Sequence, residues 1–273
     1  MKHSIFRYLD KINLSDTAVV NRLFISAFQK EERWNFQNNH ITGLLNQSDI
    51  DNIDTDYFTA ILKKSGYSFS FENLIELFEF VISPADRIVT GAVYTPGDIR
   101  KTIINRCLEK YTDEQLKNIR IADIACGCGG FLMDAAIYIH EHTGKDFYDI
   151  YIENLFGIDI QDYSLERTKI ILELLAYSYG EDRAFQFNLL HADTLDFKTA
   201  DWPMAYSGFD VIVGNPPYSC SRNVSKETKE KMRNYSVCIS GHPDLYIPFF
   251  QIAVEMLSDN GILGYITMNS FFR

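Results

Sequence analysis

From about residue 118 onward the sequence alternates short apolar, β-rich runs with longer stretches whose apolar residues recur at three- and four-residue spacing. No other feature restricts the fold as much, because strands separated by helices are joined by crossovers and lie parallel in a doubly wound α/β sheet. Strands are predicted over 119–122, 155–158, 185–189, 211–213 and 262–266, and helices over 131–142, 164–179 and 244–257. The first 85 residues read differently: helical spacing at 18–28, 57–62 and 71–78 predicts a helical N-terminal domain over 1–85. Pro84, in Ser83-Pro84-Ala85-Asp86, would break the preceding helix and mark the boundary, leaving 86–273 as the α/β domain.

With 273 residues, 46% of them hydrophobic, the chain can bury a full core. Its 37 acidic residues outnumber 26 basic ones, a net charge of -11, whereas a freestanding nucleic-acid binder usually leans basic. Any nucleic-acid contact is therefore local, or is supplied mainly by another segment or subunit. No apolar run approaches the roughly 20 residues needed to cross a bilayer, and Met1-Lys2-His3-Ser4-Ile5 leads into mixed polar sequence, so a cytoplasmic protein with no membrane partner is expected. Five cysteines without a repeated metal-type spacing fit a reducing compartment and no disulfides.

Asp123-Ile124-Ala125-Cys126-Gly127-Cys128-Gly129-Gly130 follows the first apolar strand and opens a helix. Glycines there permit a tight turn and let a ligand approach the backbone at a helix N-terminus. A carboxylate at the strand end would repel a pyrophosphate, so Asp123 favours a zwitterionic or cationic ligand over a dinucleotide. Cys126 and Cys128, with His140 and His142 downstream, match no common zinc spacing, and no metal is expected. Asp159, ending the second strand one strand-helix-strand unit later, is placed to accept the hydroxyl hydrogens of a ribose. Asp193, after the third strand, shares that edge and could accept from an adenine amino group.

Phe209-Asp210-Val211-Ile212-Val213-Gly214 then delivers a buried strand into Asn215-Pro216-Pro217-Tyr218. The prolines fix φ and donate nothing, so their carbonyls stand rigidly outward beside the Asn215 amide, with Tyr218 as a stacking face for a planar substrate.

Together these segments resemble the N6-adenine DNA methyltransferases. Asp123-x-Ala125-Cys126-Gly127-x-Gly129-Gly130-Phe131-Leu132 looks like their cofactor motif and Asn215 to Tyr218 like their catalytic motif. Gly91-Ala92-Val93-Tyr94-Thr95-Pro96 is similar to the segment preceding the cofactor motif in the gamma group, which includes type I modification subunits and type IIG restriction-modification enzymes. Protein glutamine methyltransferases share the Asn-Pro-Pro-Tyr tetrapeptide but are not expected to carry that upstream segment. The resemblance departs at Ile124, where proline is common, and at Cys128, where serine or another small residue is usual.

The resemblance implies a Rossmann-like S-adenosylmethionine-dependent methyltransferase sheet, with S-adenosylmethionine as cofactor. Thr95, Asp123, Ala125, Cys126 and Phe131 would line its methionine end, and Tyr94, Pro96, Gly127, Gly129 and Asn215 would also contribute to binding the cofactor. Asp159 and Ile160 would hold the ribose, Asp193 and Thr194 the adenine. Phe249 would pack on that adenine, or serve as an ordinary core residue. Catalysis would fall to Asn215, Pro216, Pro217 and Tyr218, acting on an adenine flipped out of double-stranded DNA. Family members continue past the fifth strand to a target-recognition domain, so the end at Arg273 implies such a domain, or a specificity subunit, in a missing C-terminal region or in trans. Rival readings are methylation of RNA or protein, and a non-catalytic cofactor-binding subunit of a restriction complex. The segment from Ser221 to Arg233, with five basic and two acidic residues, reads either as a cover over the site mouth that contacts phosphate or as a solvated helix face.

Overall fold

Helix α1 (Thr17–Glu32) buries Val20, Leu23, Phe24, Ala27 and Phe28, the spacing of an amphipathic helix, in a computed structural model that describes residues 5, 7–9, 17–37, 40–46, 55–81, 93–196 and 208–268. It is followed by α2 (His40–Leu45), α3 (Thr55–Lys64) and α4 (Phe71–Phe80). Phe24 of α1 stacks on Phe58 of α3 at 5.5 Å between ring centroids and meets Phe78 of α4 at 5.3 Å. The Ser70 hydroxyl starts α4 by accepting the Asn73 N–H. These helices form a first compact unit, Met1–Val81, which also takes in Ile170–Phe185. Within it Tyr177 packs against Phe36 at 4.6 Å and Trp34 at 5.7 Å. The boundary expected at Ser83-Pro84-Ala85-Asp86 lies outside the described residues, as do Gly91 and Ala92.

The second unit, Ile82–Lys169 with Gln186–Arg273, carries the sheet. Before it come α5 (Gly97–Leu108) and α6 (Asp113–Leu116), the latter opened by a reciprocal Thr112–Gln115 capping box. Strand β1 (Ile121–Asp123) leads into α7 (Gly130–Thr143), then β2 (Leu155–Asp159), α8 (Asp162–Ser178), β3 (Asn188–His191) and β4 (Phe209–Gly214). Helices α9 (Lys226–Met232) and α10 (Tyr246–Met256) precede β5 (Leu257–Tyr265).

All pairings are parallel and the strand order is β3-β2-β1-β4-β5. The chain steps from β1 out to β3 and returns to the other side of β1 for β4, so the order reverses between β1 and β4. Crevices at the carboxyl ends of such neighbouring strands are where open α/β sheets bind ligands. One face of the sheet is filled by Ile124, Phe156, Ile158 and Ile212 against Phe249, Ile252, Ala253 and Met256 of α10, with Val224, Met232 and Cys238 joining them.

Several expected boundaries move. The first strand starts at Ile121 rather than 119, because the Asn154 side chain donates to the Ile119 carbonyl at 2.6 Å and the Asp210 carboxylate accepts the Arg120 N–H at 2.8 Å, which diverts both groups from a ladder. The third runs over 188–191 rather than 185–189: Phe187 packs on Tyr151, and pairing begins only at Asn188 opposite Phe156. The fifth begins at Leu257 directly after α10, and three extra residues accumulate before Ile262 pairs with Val211.

Candidate active site

At the carboxyl end of β1, Asp123 turns its carboxylate back over the strand, where Oδ1 accepts the Ala125 N–H at 3.1 Å. The side chain is buried. Burial pushes its carboxyl up to about 7, the Ala125 hydrogen bond opposes this, and the charge of Asp159 adds to it. Such a group is stabilised by a cation rather than by more anionic charge.

The glycine turn wraps round this point. Gly127 and Gly129 have φ of 53° and 78°, values that side-chain-bearing residues rarely adopt, and Gly129 delivers the chain into α7. A Cβ on Gly129 would also fall 2.6 Å from Thr168 Cγ2. The turn is tied to β2 by the Cys126 N–H donating to the Ile158 carbonyl at 2.9 Å and by the Gly127 N–H donating to Asp159 Oδ2 at 2.8 Å. Asp159 Oδ1 accepts the Gln161 N–H at 2.8 Å. Both oxygens of that carboxylate thus accept backbone N–H groups. Burial, with Asp159 and Asp123 nearby, drives the Cys126 thiol well above its usual range, so it stays neutral. Among the described residues no cluster of His, Cys, Asp and Glu could hold a metal ion.

Across the reversal point, β4 ends at Gly214, and Asn215 follows it. The Asn215 Nδ2 donates to the Val93 carbonyl at 2.8 Å and to Thr95 Oγ1 at 2.9 Å. A carbonyl only accepts, so the amide can sit in one sense alone. Its Oδ1 is therefore turned away from Val93, and it is buried without a partner among the described residues. The segment receiving the amide is itself fixed: the Thr95 carbonyl accepts Arg100 Nη1 at 2.6 Å, and buried Arg100 pairs with buried Asp134 at 2.8 Å.

Pro216 is buried, while Pro217 and Tyr218 are half-buried. The Tyr218 hydroxyl donates to the Ile266 carbonyl at 2.6 Å, and its ring lies 5.7 Å from that of Tyr246. Burial, with Tyr246 beside it, pushes the phenol up to about 12 and keeps it protonated.

The structure thus brings Thr95, Asp123, Ala125, Cys126, Gly127, Gly129, Asp159 and Asn215 to one sheet edge. Phe131 is buried in the first turn of α7, and Tyr94 is half-buried just before Thr95. Ile160 is 52% exposed beyond β2. Thr194 is buried and donates to the Ile124 carbonyl at 2.6 Å. Phe249 lies in the apolar layer under α10 with Ile158 and Ile212. Two contributors escaped the sequence reading. Gly214 and Tyr265 pair at the ends of β4 and β5, and the buried Tyr265 hydroxyl is without a partner among the described residues. The signal that could have found them is the one used for Asp123, a position at the carboxyl end of an inner strand.

Residues 153–273 match the family described as Eco57I restriction-modification methylase. Over these residues the chain is similar to Eco57I-like methylase domains. It is 27% identical over 252 residues to the type II restriction enzyme and methyltransferase RM.Eco57I of Escherichia coli, an alignment covering 72% of this chain and 25% of that protein. The chain thus spans about a quarter of this relative's length. The solved DrdV–DNA complex aligns with 93% of this chain and 30% of its own, at 22% identity and a TM-score of 0.62. A class I S-adenosylmethionine-dependent methyltransferase candidate from Listeria monocytogenes aligns with 94% of this chain and 67% of its own, at 16% identity and a TM-score of 0.55. The second unit accordingly has the α/β parallel-sheet fold of class I S-adenosylmethionine-dependent methyltransferases, in line with the doubly wound sheet predicted from its alternating strands and helices. Among the described residues no helix is long and apolar enough to cross a membrane.

Proposed function

We propose that this chain is the cofactor-binding and catalytic part of a restriction-modification enzyme that methylates N6 of adenine in double-stranded DNA. One observation carries the reading: the amide hydrogens of Asn215 are spent on Val93 and Thr95, which leaves Oδ1 as a buried acceptor without a partner among the described residues, and the next residue, Pro216, would supply its carbonyl as a second acceptor. An exocyclic amino group offers two hydrogens to two such acceptors. Accepting both pulls the nitrogen toward a pyramidal geometry and frees its lone pair, which in adenine is otherwise delocalised into the ring.

The residues present fit S-adenosylmethionine. Buried Asp123 calls for a cationic partner, and the methionine end would lie against it with Tyr94, Thr95, Pro96, Ala125, Cys126, Gly127, Gly129 and Phe131. Asp159, at the carboxyl end of β2, would accept from the ribose hydroxyls beside Ile160. Asp193 and Thr194 would take the adenine, with Phe249 against its ring. When bound, this cofactor supplies an electrophilic methyl group on a sulfonium. Asn215 and Pro216 orient the attacking nitrogen, and no strong base is needed before attack. Because N6 is out of reach in a stacked duplex, the base must be flipped, and Tyr218, its ring fixed by the bond to Ile266, offers the stacking face.

The DrdV structure is a complex with DNA, which supports DNA as the substrate here. With a net charge of -11, most phosphate contacts fall to a target-recognition domain or specificity subunit outside these residues. A DNA substrate is in keeping with the cytoplasmic location expected from the sequence.

The test is methyl transfer from labelled S-adenosylmethionine to DNA, with a recognition subunit supplied in trans, followed by identification of the labelled base. N6-methyladenine in the wild type and none in Asn215→Ala is expected. Label confined to cytosine, RNA or protein would overturn the reading.

A further inference from the structure

The basic segment after the tetrapeptide does not stand free over the site mouth. Lys231 of α9 donates to Asp193 Oδ2 at 2.7 Å, lies 2.6 Å from Asp196 Oδ2, and is 3.5 Å from Glu227 Oε1. The nearby Tyr235 hydroxyl donates to the Leu195 carbonyl at 2.6 Å. Both ties reach the turn that follows β3. Between them Met232 is buried in the core with Val224 and Cys238. Three carboxylates converge on one ammonium, and hydrogen bonds to Asp193 and Asp196 push the Lys231 pKa above its ordinary range.

Stability does not account for this arrangement. Lys231 and Asp193 are each 22% exposed, and ion pairs this accessible contribute about 0–1 kcal/mol. Orientation accounts for it better. Asp193 Oδ1 accepts the Leu195 N–H at 3.0 Å and Oδ2 accepts Lys231, so the carboxylate is held from both oxygens with lone pairs to spare. Without the ammonium, Asp193 would face Asp196 and Glu227 uncompensated and turn toward solvent.

We propose that Lys231 is a positioning residue for the cofactor's adenine: it holds the Asp193 carboxylate in the orientation that accepts the exocyclic amino hydrogen, and couples that end of the site to the segment following Asn215-Pro216-Pro217-Tyr218. The inference rests on the assignment of Asp193 to the cofactor adenine. It also removes Lys231 from the cations available to phosphate, leaving exposed Arg222, Lys226 and Arg233 for that role.

Titration calorimetry with S-adenosylhomocysteine and S-inosylhomocysteine, whose base carries a carbonyl in place of the amino group, tests it. Lys231→Met should weaken the adenosyl ligand about tenfold and the inosyl ligand less than about twofold, so that discrimination between them collapses. Lys231→Gln, which keeps the side-chain stem packed, should show the same selective loss. Equal losses on both ligands would mark a merely structural role and overturn the proposal. Unchanged adenosyl affinity in both variants, with Asp193→Ala weakened, would overturn it while leaving Asp193 in place. Unchanged affinity in Asp193→Ala would remove the assignment beneath it.

Discussion

Gly214 stands so close to Asp123 that a Cβ built on it would lie 2.6 Å from Asp123 Oδ1, on a backbone whose φ of 148° already disfavours a side chain. The two strand ends can meet at the order reversal only because one of them carries no side chain. Gly214→Ala should therefore displace the carboxylate, costing about 1–3 kcal/mol in chemical denaturation and weakening S-adenosylhomocysteine in calorimetry. An Ala variant with wild-type stability and affinity would show that the Asp123 position is not constrained from β4.

Thr95 holds one of the two Asn215 amide hydrogens. Thr95→Val keeps the shape but removes the acceptor, so the amide loses one of the bonds that fix its sense. Methyl transfer in single-turnover kinetics should fall about tenfold, in line with losing one hydrogen bond that orients a reacting group. An unchanged rate would mean that the Val93 carbonyl alone sets the amide.

The alternation of strands and helices was readable because each inner strand is a short apolar run, and Asp123, Asp159 and Asn215 were readable because they end such runs. Helix α5 was not. Its buried positions are Gly97, Arg100, Ile104, Cys107 and Leu108, and a charged residue on the inner face interrupts the apolar period by which a helix is recognised. The exact strand starts were hidden for a related reason. They are set by side chains from far along the chain, Asn154 on Ile119 and Asp210 on Arg120. Lys231 looked like one more cation in a basic run, since Asp193 lies 38 residues before it and only the fold brings them together.

The Arg100–Asp134 pair, with both side chains almost wholly buried, shapes the segment that receives Asn215. Arg100→Met leaves a buried carboxylate without its counter-charge and should destabilise the fold by about 3–5 kcal/mol in urea denaturation. Adding Asp134→Leu to that variant should recover most of the loss without restoring methyl transfer, because the Thr95 carbonyl would still lack its donor. A double variant no more stable than the single one would contradict the ion-pair account.

Asp123 makes pH a direct probe of the site. Its carboxyl lies at about 7 in the folded chain against an ordinary value of 3.8, with burial as the main cause. Between those values the folded state holds a proton that the unfolded chain has released, so the contribution of this group to stability is greatest below about 4, falls as pH rises and levels off above about 7. Asp123→Asn should abolish this slope and raise stability on the alkaline side by on the order of 1–3 kcal/mol. A cationic ligand reverses the preference, because it favours the carboxylate. Affinity for S-adenosylmethionine should therefore rise from about pH 6 to about pH 8, and calorimetry in buffers of different ionisation heat should detect a released proton near the lower end. In Asp123→Asn both effects should disappear. A proton release that persists in that variant would place the titrating group elsewhere.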